Sequence, residues 1–188
     1  GLGVGSWVVG TWADRRYAAR PESLLKTYGY FELAIGLMGL AISVLLPHLG
    51  RVSAFVSSYV RDPGGWYVLS TASYLARGAI AIVLLAPITM LMGGTLTLLI
   101  RHLVGRDLEV GHWRIAVLYG VNTAGAALGC ILTDFLLVPA AGLQGTQMFA
   151  VFFNIVAAVG AFGLAGALAS GATPAPARSR MRTRRSAH

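Results

Sequence analysis

The sequence predicts an all-α fold: a polytopic transmembrane helical bundle of about four complete spans plus one truncated N-terminal span. Three observations predict it. First, 56% of the 188 residues are hydrophobic and only 12% are charged, whereas a soluble domain carries about 25% charged residues. Second, residues 79–100 and 115–138 contain no Lys or Arg, and each exceeds the roughly 20 residues that cross a hydrocarbon core of about 30 Å. Third, the basic residues sit in short clusters between apolar runs, the pattern expected of loops left on the cytoplasmic side.

The first apolar run, residues 1–13, is about 20 Å long as a helix, short of a span. It lacks the basic leader of a signal peptide, so the sequence is expected to begin inside a transmembrane helix. Its Gly1-Leu2-Gly3-Val4-Gly5 start is superficially like a dinucleotide loop, but no strand precedes it and no βαβ pattern follows. Gly1 and Gly5, four apart, instead suit close helix packing. The run Gly10-Thr11-Trp12-Ala13-Asp14-Arg15-Arg16 ends this helix. It reads either as a solvated basic loop with Trp12 at the interface, or as a charge latch of Asp14, Arg15 and Arg16. In the latch, Asp14 pairs with an Arg of another loop or meets a helix N-terminus.

Residues 27–46 form the next span. Glu32 lies about one turn from its inner end, where it either reaches the interface or faces the bundle interior. Val52, Phe55, Val56, Tyr59 and Val60 fall at helical spacing, predicting an amphipathic outer segment over 50–61. Asp62-Pro63-Gly64-Gly65 ends it, and Trp66, Tyr67 and Tyr74 suit an interfacial belt. The span 79–100 contains Pro87, which predicts a kink. The span 115–138 carries Asn122, the GxxxG pair Gly125 and Gly129, and Asp134. The glycine pair predicts helix packing. Asp134 is read either as a cation or proton site or as the partner of Arg77 at the same outer level. Cys130, the single cysteine, is read as a small packing residue. Residues 140–145 make a tight outer turn before the span 146–169, which carries Asn154. Glu32, Asn122, Asp134 and Asn154 are therefore the candidate intramembrane pathway residues. Residues 171–188, with five Arg, predict a disordered basic tail lying on anionic lipid.

Strict alternation of these spans places Arg15, Arg16, Arg20, Lys26, Arg101, Arg106, Arg114 and the five tail Arg on one face. Only Arg51, Arg61 and Arg77 fall on the other. The positive-inside rule then puts the tail in the cytoplasm. The same distribution explains the net charge of +8 without nucleic acid as a partner. The four His are scattered, no pair has metal-helix spacing, and a single Cys makes a zinc site unexpected. No P-loop and no Gly-x-Ser-x-Gly elbow is present. No metal, no cofactor and no catalytic residue is assigned to this chain.

Several runs resemble one family. Leu91-Met92-Gly93-Gly94-Thr95-Leu96-Thr97-Leu98-Leu99-Ile100-Arg101 is similar to the "MG-x-T-L-P-L-L-x-R" run of bacterial membrane-embedded spermidine synthase-like proteins. Leu118-Tyr119-Gly120-Val121-Asn122-Thr123-Ala124-Gly125-Ala126-Ala127-Leu128-Gly129 is similar to their "LY-x-x-N-T-x-G-A-x-x-G", and Gly142-Leu143-Gln144-Gly145-Thr146 to their "G-L-x-G-T" turn. Residues 3–16 and Glu32-Leu33-Ala34-Ile35-Gly36 also fit the family's earlier helices. Thr97 departs from a frequent Pro, and Asp134 from a small residue. Gly10 to Arg16 also resembles the loop after the second helix of major facilitator transporters. The resemblance implies a major-facilitator-like membrane region that the family joins to a cytoplasmic aminopropyltransferase domain of Rossmann-like fold. That domain binds decarboxylated S-adenosylmethionine and putrescine, and its catalytic residues have no counterparts here. The chain is thus expected in the bacterial inner membrane, as an anchor or a polyamine-related transport module partnered by the bilayer and by such a domain, fused or separate. The alternative is a major-facilitator-like transporter fragment with no enzymatic link.

Overall fold

The computed structural model describes residues 1–16, 22–104 and 108–171. The expected basic tail from residue 172 on, and its expected lipid contact, lie outside them. In chain order the elements are α1 (Leu2–Arg16), α2 (Glu22–Phe55), a hairpin of β1 (Tyr59–Arg61) and β2 (Tyr67–Leu69), α3 (Thr71–Val104), α4 (Leu108–Leu132), a π-helical turn (Thr133–Leu137) and α5 (Val138–Gly171). Three stretches are long and apolar enough to cross a membrane: Ser23–Phe55, Thr71–Leu103 and His112–Ser170. The third includes Gly142, whose φ of 67° and ψ of −177° interrupt the helix. The turn expected over 140–145 therefore contracts to one non-helical residue. Glycine suits it because a Cβ disfavours that backbone region.

Helix directions follow from the pairings. Ser6 of α1 bonds Gly93 of α3 and Asp14 bonds Arg101, so α1 and α3 run parallel. Phe31 lies near Gly94, and Leu24 packs with Leu98, so α2 runs antiparallel to α3. Gly29 lies beneath Phe162, Gly36 beside Asn154 and Gly39 beside Val151, so α2 and α5 are antiparallel too. Asp14 and Arg101 thus lie at one end of the bundle, and the β-hairpin and Arg77 at the other.

The buried core is small. Val9, Ala13, Leu24 and Leu98 form one cluster, and Leu25, Ala161 and Ala165 a second; Tyr28 packs on both. Elsewhere large apolar side chains point outward, among them Phe135, Val83, Val44 and Leu37, which are 81%, 71%, 66% and 66% exposed. Facing water, so extensive an apolar surface would drive association; facing lipid tails it carries no such penalty.

The expected amphipathic segment 50–61 is corrected. Helix α2 continues through Pro47 to Phe55. Its residues Leu46, Leu49 and Val52 face Ile80 and Leu84 of α3. Tyr59, Val60 and Arg61 then pair with Leu69, Val68 and Tyr67. Two β-branched and aromatic runs flanking Asp-Pro-Gly-Gly are a hairpin signal that the coincident i, i+3, i+4 spacing obscures. The turn closes by Gly65 N–H donating to Asp62 O at 2.9 Å, with Gly65 at φ 88°. Three serines fasten the hairpin to α3. The Ser58 and Ser70 hydroxyls lie 2.6 Å apart, those of Ser70 and Ser73 lie 3.0 Å apart, and Ser58 N–H donates to Ser73 Oγ at 2.7 Å. Trp66, Tyr67 and Tyr74 are all exposed at this end.

Candidate functional site

A cleft of about 1080 Å³ opens among α1, α2, α3, α4 and α5. Its walls are mainly apolar, including Leu2, Ile35, Leu96, Val121 and Phe153, and its polar groups come from all five helices. Glu32 is 8% exposed and interacts with Tyr28, one turn earlier on the same helix. Asn154 and Gln147 stand on α5, Asn122 on α4, Thr95 on α3 and Ser6 on α1.

Local packing sets these positions. Small residues on α2 let α5 lie close: a Cβ added at Gly36 would stand 3.4 Å from the Asn154 Cβ. Gln147 Nε2 donates to the Gly39 carbonyl at 3.0 Å. Ser6 Oγ donates to Gly93 O at 2.9 Å and Thr95 Oγ1 to Met92 O at 2.8 Å. The hydroxyls therefore serve backbone carbonyls, while Glu32 is the one ionisable acid among the cleft-lining side chains and no Lys, Arg or His joins it. A carboxylate among amides and apolar walls can hold a cation or a proton. Among the described residues no second carboxylate lines the cleft.

Three of the four candidate pathway residues, Glu32, Asn122 and Asn154, are brought together here. Asp134 is not. It is exposed on the π-helical turn, and its expected pairing with Arg77 is not formed among the described residues, because Arg77 faces α2 instead. Gln147, Tyr28 and Ser6 are residues that sequence reasoning misses. Tyr28 carries a usable signal, its i, i+4 relation to Glu32. Gln147 carries little, lying close to the Gly-Leu-Gln-Gly-Thr turn.

At the Asp14 end, Arg101 grips the Asp14 carboxylate with both terminal guanidinium nitrogens, Nη2 donating to Oδ2 at 2.9 Å. Arg15 is exposed, and the side chain of Arg16 lies outside the described ones. Arg114 Nη1 donates to Leu103 O at 2.9 Å, fastening the start of α4 to the end of α3. The glycine pair Gly125 and Gly129 has nothing within 4 Å of an added Cβ. The packing expected of that pair is not made among the described residues: Gly125 lines the open cleft and Gly129 is exposed. Cys130 is likewise exposed rather than packed. Among the described residues no three His, Cys, Asp or Glu side chains gather.

Comparison with protein-family models, with curated proteins and with solved structures gives no match.

Proposed function

We propose that this chain is the membrane region of a spermidine synthase-like protein of the bacterial inner membrane, and that it serves as a polyamine-related transport module rather than as a bare anchor. One observation carries this reading: Glu32, Asn122 and Asn154, on three separate helices, converge on one cleft. A bare anchor has no need of polar groups gathered between helices, since each is costly in hydrocarbon. The reading counts α2, α3 and the two arms on either side of Gly142 as four spans, with α1 as a fifth, partial one. The Asp14 and Arg101 end and the basic tail face the cytoplasm. Aminopropyl transfer, and binding of decarboxylated S-adenosylmethionine, belong to a separate domain. The motif runs around Gly93 and Asn122 support the family.

Uptake of labelled putrescine or spermidine into proteoliposomes tests the transport reading. Wild-type uptake is expected to exceed that of empty liposomes, Glu32→Gln to abolish it, and Asp134→Asn to leave it unchanged. Wild-type uptake no greater than that of empty liposomes sinks the reading.

The second reading, a major-facilitator-like transporter fragment with no enzymatic link, draws on the Asp14–Arg101 ion pair within the run Gly10 to Arg16. Reading the adjoining coding sequence separates the two: a neighbouring methyltransferase-like domain favours the first.

A further inference from the structure

The end of the bundle far from Asp14 holds a second cavity, unconnected with the Glu32 cleft. It is a slot of about 300 Å³ between α2 and α3. Its walls are aliphatic, with Leu46 and Leu49 on one side and Ile80 and Leu84 on the other. Its polar side chains are Ser53 and Arg77, and both lie toward the hairpin end. The slot extends from Arg77 to Leu85 on α3 and from Ser53 to Ile42 on α2. At the helical rise these runs are about 12 and 16 Å long. Half of a hydrocarbon core is about 15 Å. The slot therefore has the depth of one leaflet, greasy along its length and cationic at its mouth.

Arg77 is the one charged side chain that lines the mouth. Arg77 is exposed and forms no ion pair among the described residues. Arg51 and Arg61 share this end. The one acid of the hairpin, Asp62, accepts the Trp66 N–H at 3.2 Å. Trp66, Tyr67 and Tyr74, on the hairpin and the start of α3, are 76%, 74% and 65% exposed, the residue types that settle at headgroup level.

We propose that the α2–α3 slot is a site for one anionic phospholipid, with an acyl chain between Leu46, Leu49, Ile80 and Leu84 and the phosphate on Arg77. A zwitterionic lipid fills the slot as well but brings its own ammonium to a mouth that already carries excess positive charge. Selectivity therefore comes from Arg77, and retention from the slot.

The full chain, purified in mild detergent, is to be titrated with phosphatidylglycerol or phosphatidylcholine of the same acyl chains, and the retained lipid counted by native mass spectrometry. Wild type is expected to retain the anionic lipid about fivefold better, the preference that one basic residue near the headgroups provides. Arg77→Gln removes the preference, Arg51→Gln keeps it, and Leu84→Trp, which fills the slot, releases both lipids. Far-UV circular dichroism checks that each variant is folded; if Leu84→Trp is not, Ala81→Leu replaces it. A preference that survives Arg77→Gln overturns the proposal. So does retention unchanged by a folded slot-filling variant, which would mean that headgroup charge alone holds the lipid.

Discussion

Gly1 just before α1 and Gly5 on it share one sequence signature with Gly125 and Gly129 on α4, two glycines four apart, and the two pairs have opposite surroundings. At Gly5 an added Cβ would collide with the backbone of Met90, and at Gly93, on the facing helix, with the backbone of Leu2. The backbones of α1 and α3 touch there. At Gly125 and Gly129 the space is open. Small-residue spacing therefore permits a close helix crossing but does not choose the partner. On α1 the choice falls to the groups above and below the glycines: Ser6 bonded to Gly93, Val9 and Ala13 packed with Leu98, and Asp14 bound to Arg101. On α4 the neighbours of the glycine pair, Leu128 and Ile131, are 60% and 57% exposed and hold nothing.

Three substitutions sharpen this contrast. Gly5→Leu drives a side chain into the Met90 backbone and is expected to cost ~3 kcal/mol, the upper range for overpacking where no flexible neighbour can yield. The loss is read as a lowered midpoint of thermal unfolding in detergent by circular dichroism; an unchanged midpoint would show that α1 does not sit on α3. Asp14→Asn removes one partner of an ion pair whose side chains are 59% and 35% exposed. Screening limits its effect to ~0.5 kcal/mol, and the wild-type advantage should shrink further in high salt. Gly129→Leu is expected to change stability by less than ~0.5 kcal/mol, as at other open surface positions. A large loss there, reversed on dilution of the protein or accompanied by a change of oligomeric state, would reveal a partner for α4 outside this chain.

The same contrast explains what is legible in the sequence. Run length and charge spacing give depth along each helix, because crossing a fixed thickness demands a fixed number of residues. The apolar stretches follow from that; Glu32 is buried, as the cost of a polar group in hydrocarbon directs, whereas Asn122 and Asp134 are exposed. Azimuth is not readable in this way. Arg77 lines the α2–α3 slot and Asp134 lies on a π-helical turn, so the outer level expected of both gives no ion pair among the described residues. Gln147 reaches the cleft only because Gly36 and Gly39 let α5 come close, a fact of tertiary packing. The β-hairpin escapes because a dozen residues around Val52 and Tyr59 satisfy a helical spacing by coincidence, while the turn chemistry at Asp62 to Gly65 names the local structure correctly.

The parallel seating of α1 on α3 also has a consequence in time. The residues that meet there, Ser6 with Gly93 and Asp14 with Arg101, are 87 positions apart. A ribosome adding about 5–20 residues per second takes about 4–17 s to travel that distance. Until then the glycines of α1 lack the α3 backbone on which they pack. The contact between α1 and α3 therefore follows the synthesis of all of α2 and most of α3.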